Sequence, residues 1–178
     1  MAGASAAMTG AGGRMVHGVG DRQRMLLMLG AGGLSALVAY AFARMLLGLA
    51  PDTPWFRETA VIVHVATAVP AIPLGAYVLL TRKGGARHKL LGRLWLVLMV
   101  VTATASLWIR NINNGDFSFI HLFVVATYAN VPLAILSARK GDIVAHKKRL
   151  IGFYTGAMLL AGITSFAPGR IMWHWAFG

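Results

Sequence analysis

Residues 59–92 read TAVIVHVATAVPAIPLGAYVLLTRKGGARHKLLG, and residues 117–152 read FSFIHLFVVATYANVPLAILSARKGDIVAHKKRLIG. Each stretch holds a histidine early in a long apolar run, an Arg-Lys-Gly break, a second histidine and a return to apolar sequence. The histidines are offset by 57 residues (His64 to His121) and by 58 (His88 to His146). An apolar run of about 20 residues matches the ~30 Å hydrocarbon core of a bilayer. Each stretch is therefore a helix, a turn and the start of a returning helix. Two such hairpins running in the same direction form a parallel repeat, which membrane proteins relate by an axis along the bilayer normal. That axis would set His64 opposite His121 and His88 opposite His146.

Outward from the repeat, the same measure gives spans at residues 25–49, 59–80, 90–109, 117–138 and 150–166. The expected fold class is all-α: a polytopic membrane protein of five transmembrane helices. Helices two to five form a four-helix bundle built from two parallel two-helix repeats. Residues 1–24 are expected to be a flexible cytoplasmic tail and 25–49 a peripheral transmembrane helix. Residues 58–168 hold the bundle, and 169–178, with Trp173 and Trp175, a Trp-rich interfacial C-terminus. Gly30-Ala31-Gly32-Gly33 in the first span permits close helix contact. Pro70 and Pro73 in the second span and Pro132 in the fourth are expected to kink their helices.

Composition agrees. Of 178 residues, 57% are hydrophobic and 12% charged, with a mean hydropathy of +0.66. A soluble domain carries about 25% charged residues, so a water-facing enzyme is excluded. The 17 Lys and Arg against 5 Asp and Glu give a net charge of +12. They recur at every second loop rather than in one patch, which argues against nucleic acid and for the positive-inside rule. The N-terminus is expected in the cytoplasm and the C-terminus outside. There is no cysteine, so thiolate chemistry and iron–sulfur clusters are excluded. The few carboxylates are too scattered for paired acid–base hydrolysis, and Asp142 reads as a helix cap. No phosphate-binding loop, zinc-protease motif or nucleophile elbow is present.

The four repeated histidines carry the chemistry. Neutral imidazole ligates iron, and two on facing helices can take both axial positions of a haem. His64 with His121, and His88 with His146, are the candidate metal ligands. Arg87, Arg93 and Lys147 beside the second pair would hold anionic propionates, or acidic headgroups. Small residues near the ligands leave space: Ala68 after His64, Gly92 after His88, Val125 and Ala126 after His121, and Gly75 further along the His64 face. The plainer reading is that these histidines tie helices together by hydrogen bonds, worth ~0.6–2 kcal/mol.

On His64, His88-Lys-Leu-Leu-Gly92-Arg93, Ile120-His121-Leu122, Gly141-Asp142-Ile143 and His146-Lys147, the chain from about Glu58 to Phe166 resembles a family of small bacterial integral membrane proteins of unknown function. The four-histidine layout is also similar to two-haem transmembrane cytochromes b that pass electrons from ascorbate across a membrane. That second resemblance implies one or two haem b groups, although the spacings of 24, 33 and 25 residues are shorter here. The expected function is thus a small b-type cytochrome-like protein of the bacterial inner membrane, carrying electrons through bis-histidine haem and exchanging them with quinone. The alternative is a non-catalytic accessory transmembrane subunit of a larger respiratory or photosynthetic complex. Its partners would be the lipid bilayer and a larger membrane complex or a second copy. Spans two to five lack an acidic residue inside their apolar stretches, which weighs against proton or cation transport.

Overall fold

The computed structural model describes residues 20–110, 115–118 and 121–178, so most of the N-terminal tail lies outside the described residues. Among these residues every regular element is helical. Helix α1 spans Asp21–Leu46, α2 Thr59–Leu80, α3 Ala86–Ser106, α4 Leu122–Arg139 and α5 Ile143–Phe153. A π-helical segment, Tyr154–Leu160, follows, then α6 (Ala161–Thr164) and α7 (Ile171–Phe177), while Pro54–Arg57 forms a single 3₁₀ turn. Helices α1 to α4 are each long and apolar enough to cross a membrane. The expected fifth span begins earlier, at Ile143, and its middle is wound as π-helix. Residues 143–164 are helical throughout but contain no α-helix of spanning length.

The turns explain the repeat. Gly84 and Gly141, the glycines of the two Arg-Lys-Gly breaks, adopt φ +89° and +74°. That left-handed region is adopted at little cost only by glycine. Gly141 follows the α4 cap Lys140 directly, whereas α2 has already ended at extended Thr81 and Gly84 bends the turn that follows. After the second break, Asp142 caps α5 through its side-chain Oδ1, which accepts from the Ala145 backbone N–H at 2.9 Å. Helices α2 and α4 both run through their prolines.

Packing follows the chain. Helix α2 lies against α3, α3 against α4, and α4 against α5 and the π segment, which returns to α2. Helix α1 sits outside this ring, on α2, α7 and the π segment. It buries Leu27, Ala31, Leu34, Val38 and Ala41, an alternation of four and three that keeps one face inward. Close contact arises at Gly30, where a Cβ would stand 3.0 Å from Leu159 Cδ1; Gly32 and Gly33 meet nothing. Large apolar side chains cover the outside, including Leu26, Leu46, Leu90 and Val144. A surface of that kind suits hydrocarbon rather than water.

Trp175 is buried rather than presented at the periphery. Its ring meets Phe42 and Phe56 edge-on at 5.1 and 4.7 Å, and its Nε1 donates to Thr53 Oγ1 at 2.9 Å. Arg44 ties α1 to the same end of the chain, donating to the Ala176 carbonyl at 2.6 Å and to Gly178 at 2.8 Å.

The tightest point is Gly75 on α2. Trp95 and Tyr154 are both fully buried over it, and a Cβ there would stand 2.6 Å from Trp95 Nε1 and from Tyr154 Cε2. The Tyr154 hydroxyl also donates to the Ile72 carbonyl at 2.7 Å. Gly75 thus does not open space for a cofactor; two aromatic rings occupy it. Both rings are fully buried and leave little room to yield. Gly75→Ala should therefore destabilise the protein by about 1–3 kcal/mol through overpacking, whereas Gly32→Ala should be near neutral. Thermal unfolding of the purified variants in one detergent checks the contrast.

Candidate functional site

His64, the sixth residue of α2, is half-buried and faces α3. Its Nδ1 lies 3.1 Å from the Thr102 carbonyl and 2.9 Å from Ser106 Oγ. Ser106 itself donates to the Thr102 carbonyl at 2.9 Å. A carbonyl only accepts, so this geometry assigns the imidazole hydrogen to Nδ1 and leaves the lone pair on Nε2. Metal-ligating histidines are commonly oriented this way, by a backbone carbonyl on the other ring nitrogen. Thr67, one turn after His64, meets Thr102 with hydroxyl oxygens 2.7 Å apart. Four polar side chains, His64, Thr67, Thr102 and Ser106, therefore join across α2 and α3. Sequence reasoning passed over Thr102 and Ser106, although two hydroxyls four residues apart in an apolar helix are a readable signal.

His64 opens onto a cavity of about 270 Å³ lined by residues of α1 to α4, the π segment and the start of α7. Ala68, Ala103, Ala157 and Gly162 supply small walls, Thr127 a hydroxyl, and Arg170 a cation. The shape comes from residues too small to meet across the middle. Flexible Met99, Met158 and Met172 fill part of the remainder. Of the small residues expected near the histidines, Ala68 does line this space. Val125 does not: it points outward on α4, 64% exposed.

His121 departs from the repeat. It is not a turn inside its helix but the residue preceding α4, which starts at Leu122. The cause is local. Ser118 N–H donates to His121 Nδ1 at 3.0 Å, and His121 N–H returns to the Ser118 carbonyl at 3.0 Å, closing a turn before the helix can begin. Phe117 packs on the imidazole edge-on at 4.9 Å, and the Arg110 guanidinium covers Phe117 at 4.3 Å. The result is an imidazole only 8% exposed. Its Nε2 is buried and has no hydrogen-bond partner among the described residues. His121 is not itself a wall of the His64 cavity; Phe123, Val124 and Thr127, the next turns of α4, are.

At the other end of the helices, His88 and His146 are electrostatic neighbours. His146 Nδ1 donates to the Ala134 carbonyl at 2.8 Å, whereas His88 Nδ1 is buried without a partner. Of the cations expected to serve this pair, Arg87 lies over the Tyr77 ring at 5.2 Å, Arg93 is exposed and Lys147 is half-buried. Among the described residues no three His, Asp or Glu converge on one point.

Residues 61–176 match the family of predicted membrane proteins designated DUF2306. The chain belongs to that family, and it is a membrane protein. No curated protein and no solved structure matches it.

Lys83, in the turn between α2 and α3, has its ammonium held below the ordinary lysine range, first by burial and then by the charges of Lys147 and Arg24. The unfolded chain binds that proton more readily, so stability should rise with pH through the interval just below the ordinary lysine value. Lys83→Gln should raise the thermal midpoint at neutral pH and low salt. The gain should vanish at high pH, and shrink in high salt as the repulsion is screened.

Proposed function

We propose that this protein is a small b-type cytochrome-like carrier of electrons, with haem b ligated by His64 and His121 and a second group by His88 and His146. The observation that carries the reading is the state of the histidines. His64 and His146 each have Nδ1 anchored to a backbone carbonyl. His121 has a buried Nε2, unpartnered among the described residues. It offers iron a lone pair in the tautomer whose Nδ1–H donates to the Ser118 carbonyl 3.1 Å away, not in the one whose Nδ1 accepts from the Ser118 N–H. An unpartnered buried nitrogen costs about 1–3 kcal/mol, and a ligand would relieve it. Haem, when bound, supplies reversible one-electron exchange. The chain's part is to fix the imidazoles, exclude water and set the potential through burial and nearby charge. Arg87, Arg93 and Lys147 would offset propionate charge at the basic end.

The reading includes a fifth crossing by residues 143–164 and a bundle of α2 to α5 about a pseudo-two-fold axis. It places the basic turns and N-terminus in the cytoplasm of a bacterium and the C-terminus in the periplasm. The cavity is smaller than a porphyrin and His121 is not among its walls. Loading this pair therefore requires Met99, Met158 and Met172 to swing aside and the space to extend past Phe123 and Val124 to His121; methionine is the side chain best suited to such movement.

That volume favours a second reading, in which a quinone ring takes the cavity and hydrogen-bonds to His64 Nε2. A cavity of about 270 Å³ lies just under the usual range for small-molecule sites, roughly 300–1,000 Å³.

Reduced-minus-oxidised visible spectra of protein expressed with ample haem, together with a haem count, separate these. The expected result is sharp b-type bands that His64→Ala and His121→Ala abolish and that Ser106→Ala shifts. A colourless protein that yields a quinone on extraction supports the second reading. A colourless protein with no extractable quinone and co-purifying subunits would make it an accessory subunit.

A further inference from the structure

A second concavity lies between α4 and α5, outside the histidine sites. This open groove of about 510 Å³ is lined by Lys148 and Arg149, by Asn130, and by Gly152, Gly156 and Phe123. Arg149 Nε is buried and has no hydrogen-bond partner among the described residues. A guanidinium presents its donors as a planar fork matched to phosphate oxygens. No protein carboxylate is seen to answer it: the ion pair formed among the described residues is Arg57–Asp52, and Asp142 is engaged as the α5 cap.

Arg149 and Gly152, three apart in α5, share one helix face. Gly156 lies in the π-wound segment and lines the same groove, continuing the track away from the cationic mouth. A Cβ at Gly152 or Gly156 would meet nothing within 4 Å, so the floor of the track is open along its length. A cationic mouth continued by an apolar slot is complementary to a molecule with an anionic head and a hydrocarbon tail.

We propose that this groove binds one anionic phospholipid, its phosphate at Arg149 and Lys148 and one acyl chain along Gly152 and Gly156 toward Phe123. Phe123 and Ala157 are walls of both this groove and the His64 cavity, so the lipid backs the cavity wall. The assignment is independent of what the histidines bind.

The test is native mass spectrometry of the full chain in mild detergent, offered equal amounts of phosphatidylglycerol and phosphatidylcholine. Wild type should retain phosphatidylglycerol preferentially. Arg149→Gln should lower that preference about fivefold, the effect of about 1 kcal/mol per basic residue at a membrane surface. Gly152→Leu, which keeps both cations, should reduce retention of either lipid by filling the slot. Lys140→Gln, an equally basic position outside the groove, should leave the ratio unchanged. Lys148→Gln serves as a second headgroup variant if Arg149→Gln does not fold, judged by its thermal midpoint. The proposal is overturned if Lys140→Gln acts like Arg149→Gln, if Gly152→Leu has no effect, or if excess inorganic phosphate strips the lipid, which would make this a free-phosphate site.

Discussion

The structure depends on how closely α2, α3 and the π segment meet at Gly75. Removing one side chain there lets two large rings, Trp95 and Tyr154, lie fully buried against a single helix backbone. In lipid, helix association gains little from hydrophobicity and relies on close packing and interhelical hydrogen bonds. Both are supplied at this point: the rings pack on Gly75, and the Tyr154 hydroxyl bonds the Ile72 carbonyl. The π-helical winding begins at Tyr154 itself. Such segments recur at functional sites because they displace side chains from the regular α register.

With one half of the interior clamped by aromatic rings, the other is left open. Toward His64 the lining includes Ala68, Ala103, Ala157, Gly162 and three methionines among valines and isoleucines, and the space is not closed. The polar cluster of His64, Thr67, Thr102 and Ser106 sits at its edge and orients the imidazole. The molecule therefore combines a rigid packed zone and an adaptable cavity within the same helices. Ionisable groups inside such helices are costly and tend to be functional, so the cluster is the natural place for chemistry.

The repeat was legible because it is written in residue types: histidine, apolar run, Arg-Lys-Gly, histidine. Its turns are matched in three dimensions by the positive φ of Gly84 and Gly141. Its first histidines are not matched. His64 lies within a helix, while His121 lies before one, since the turn bonded by Ser118 delays the start of α4. Nothing in the spacing of 57 residues records that difference, because a helix start is set by local hydrogen bonds rather than by periodicity. The expected open space at Gly75 and Val125 failed for a related reason. Whether a small residue faces a void or a large partner depends on the helix opposite.

By itself the sequence determined an all-helical membrane protein, its long apolar helices, its basic turns and the histidines worth examining. Those properties follow from hydropathy, charge and glycine stereochemistry, each of which acts over a few neighbouring residues. Only the tertiary structure decided that the last long helical stretch is wound partly as π-helix and that Trp175 is buried. It also decided that His64 lines a cavity and that Arg149 lines a groove with its Nε unpartnered among the described residues. These depend on contacts between residues distant in the chain, where the side chain across the gap fixes rotamer, register and room.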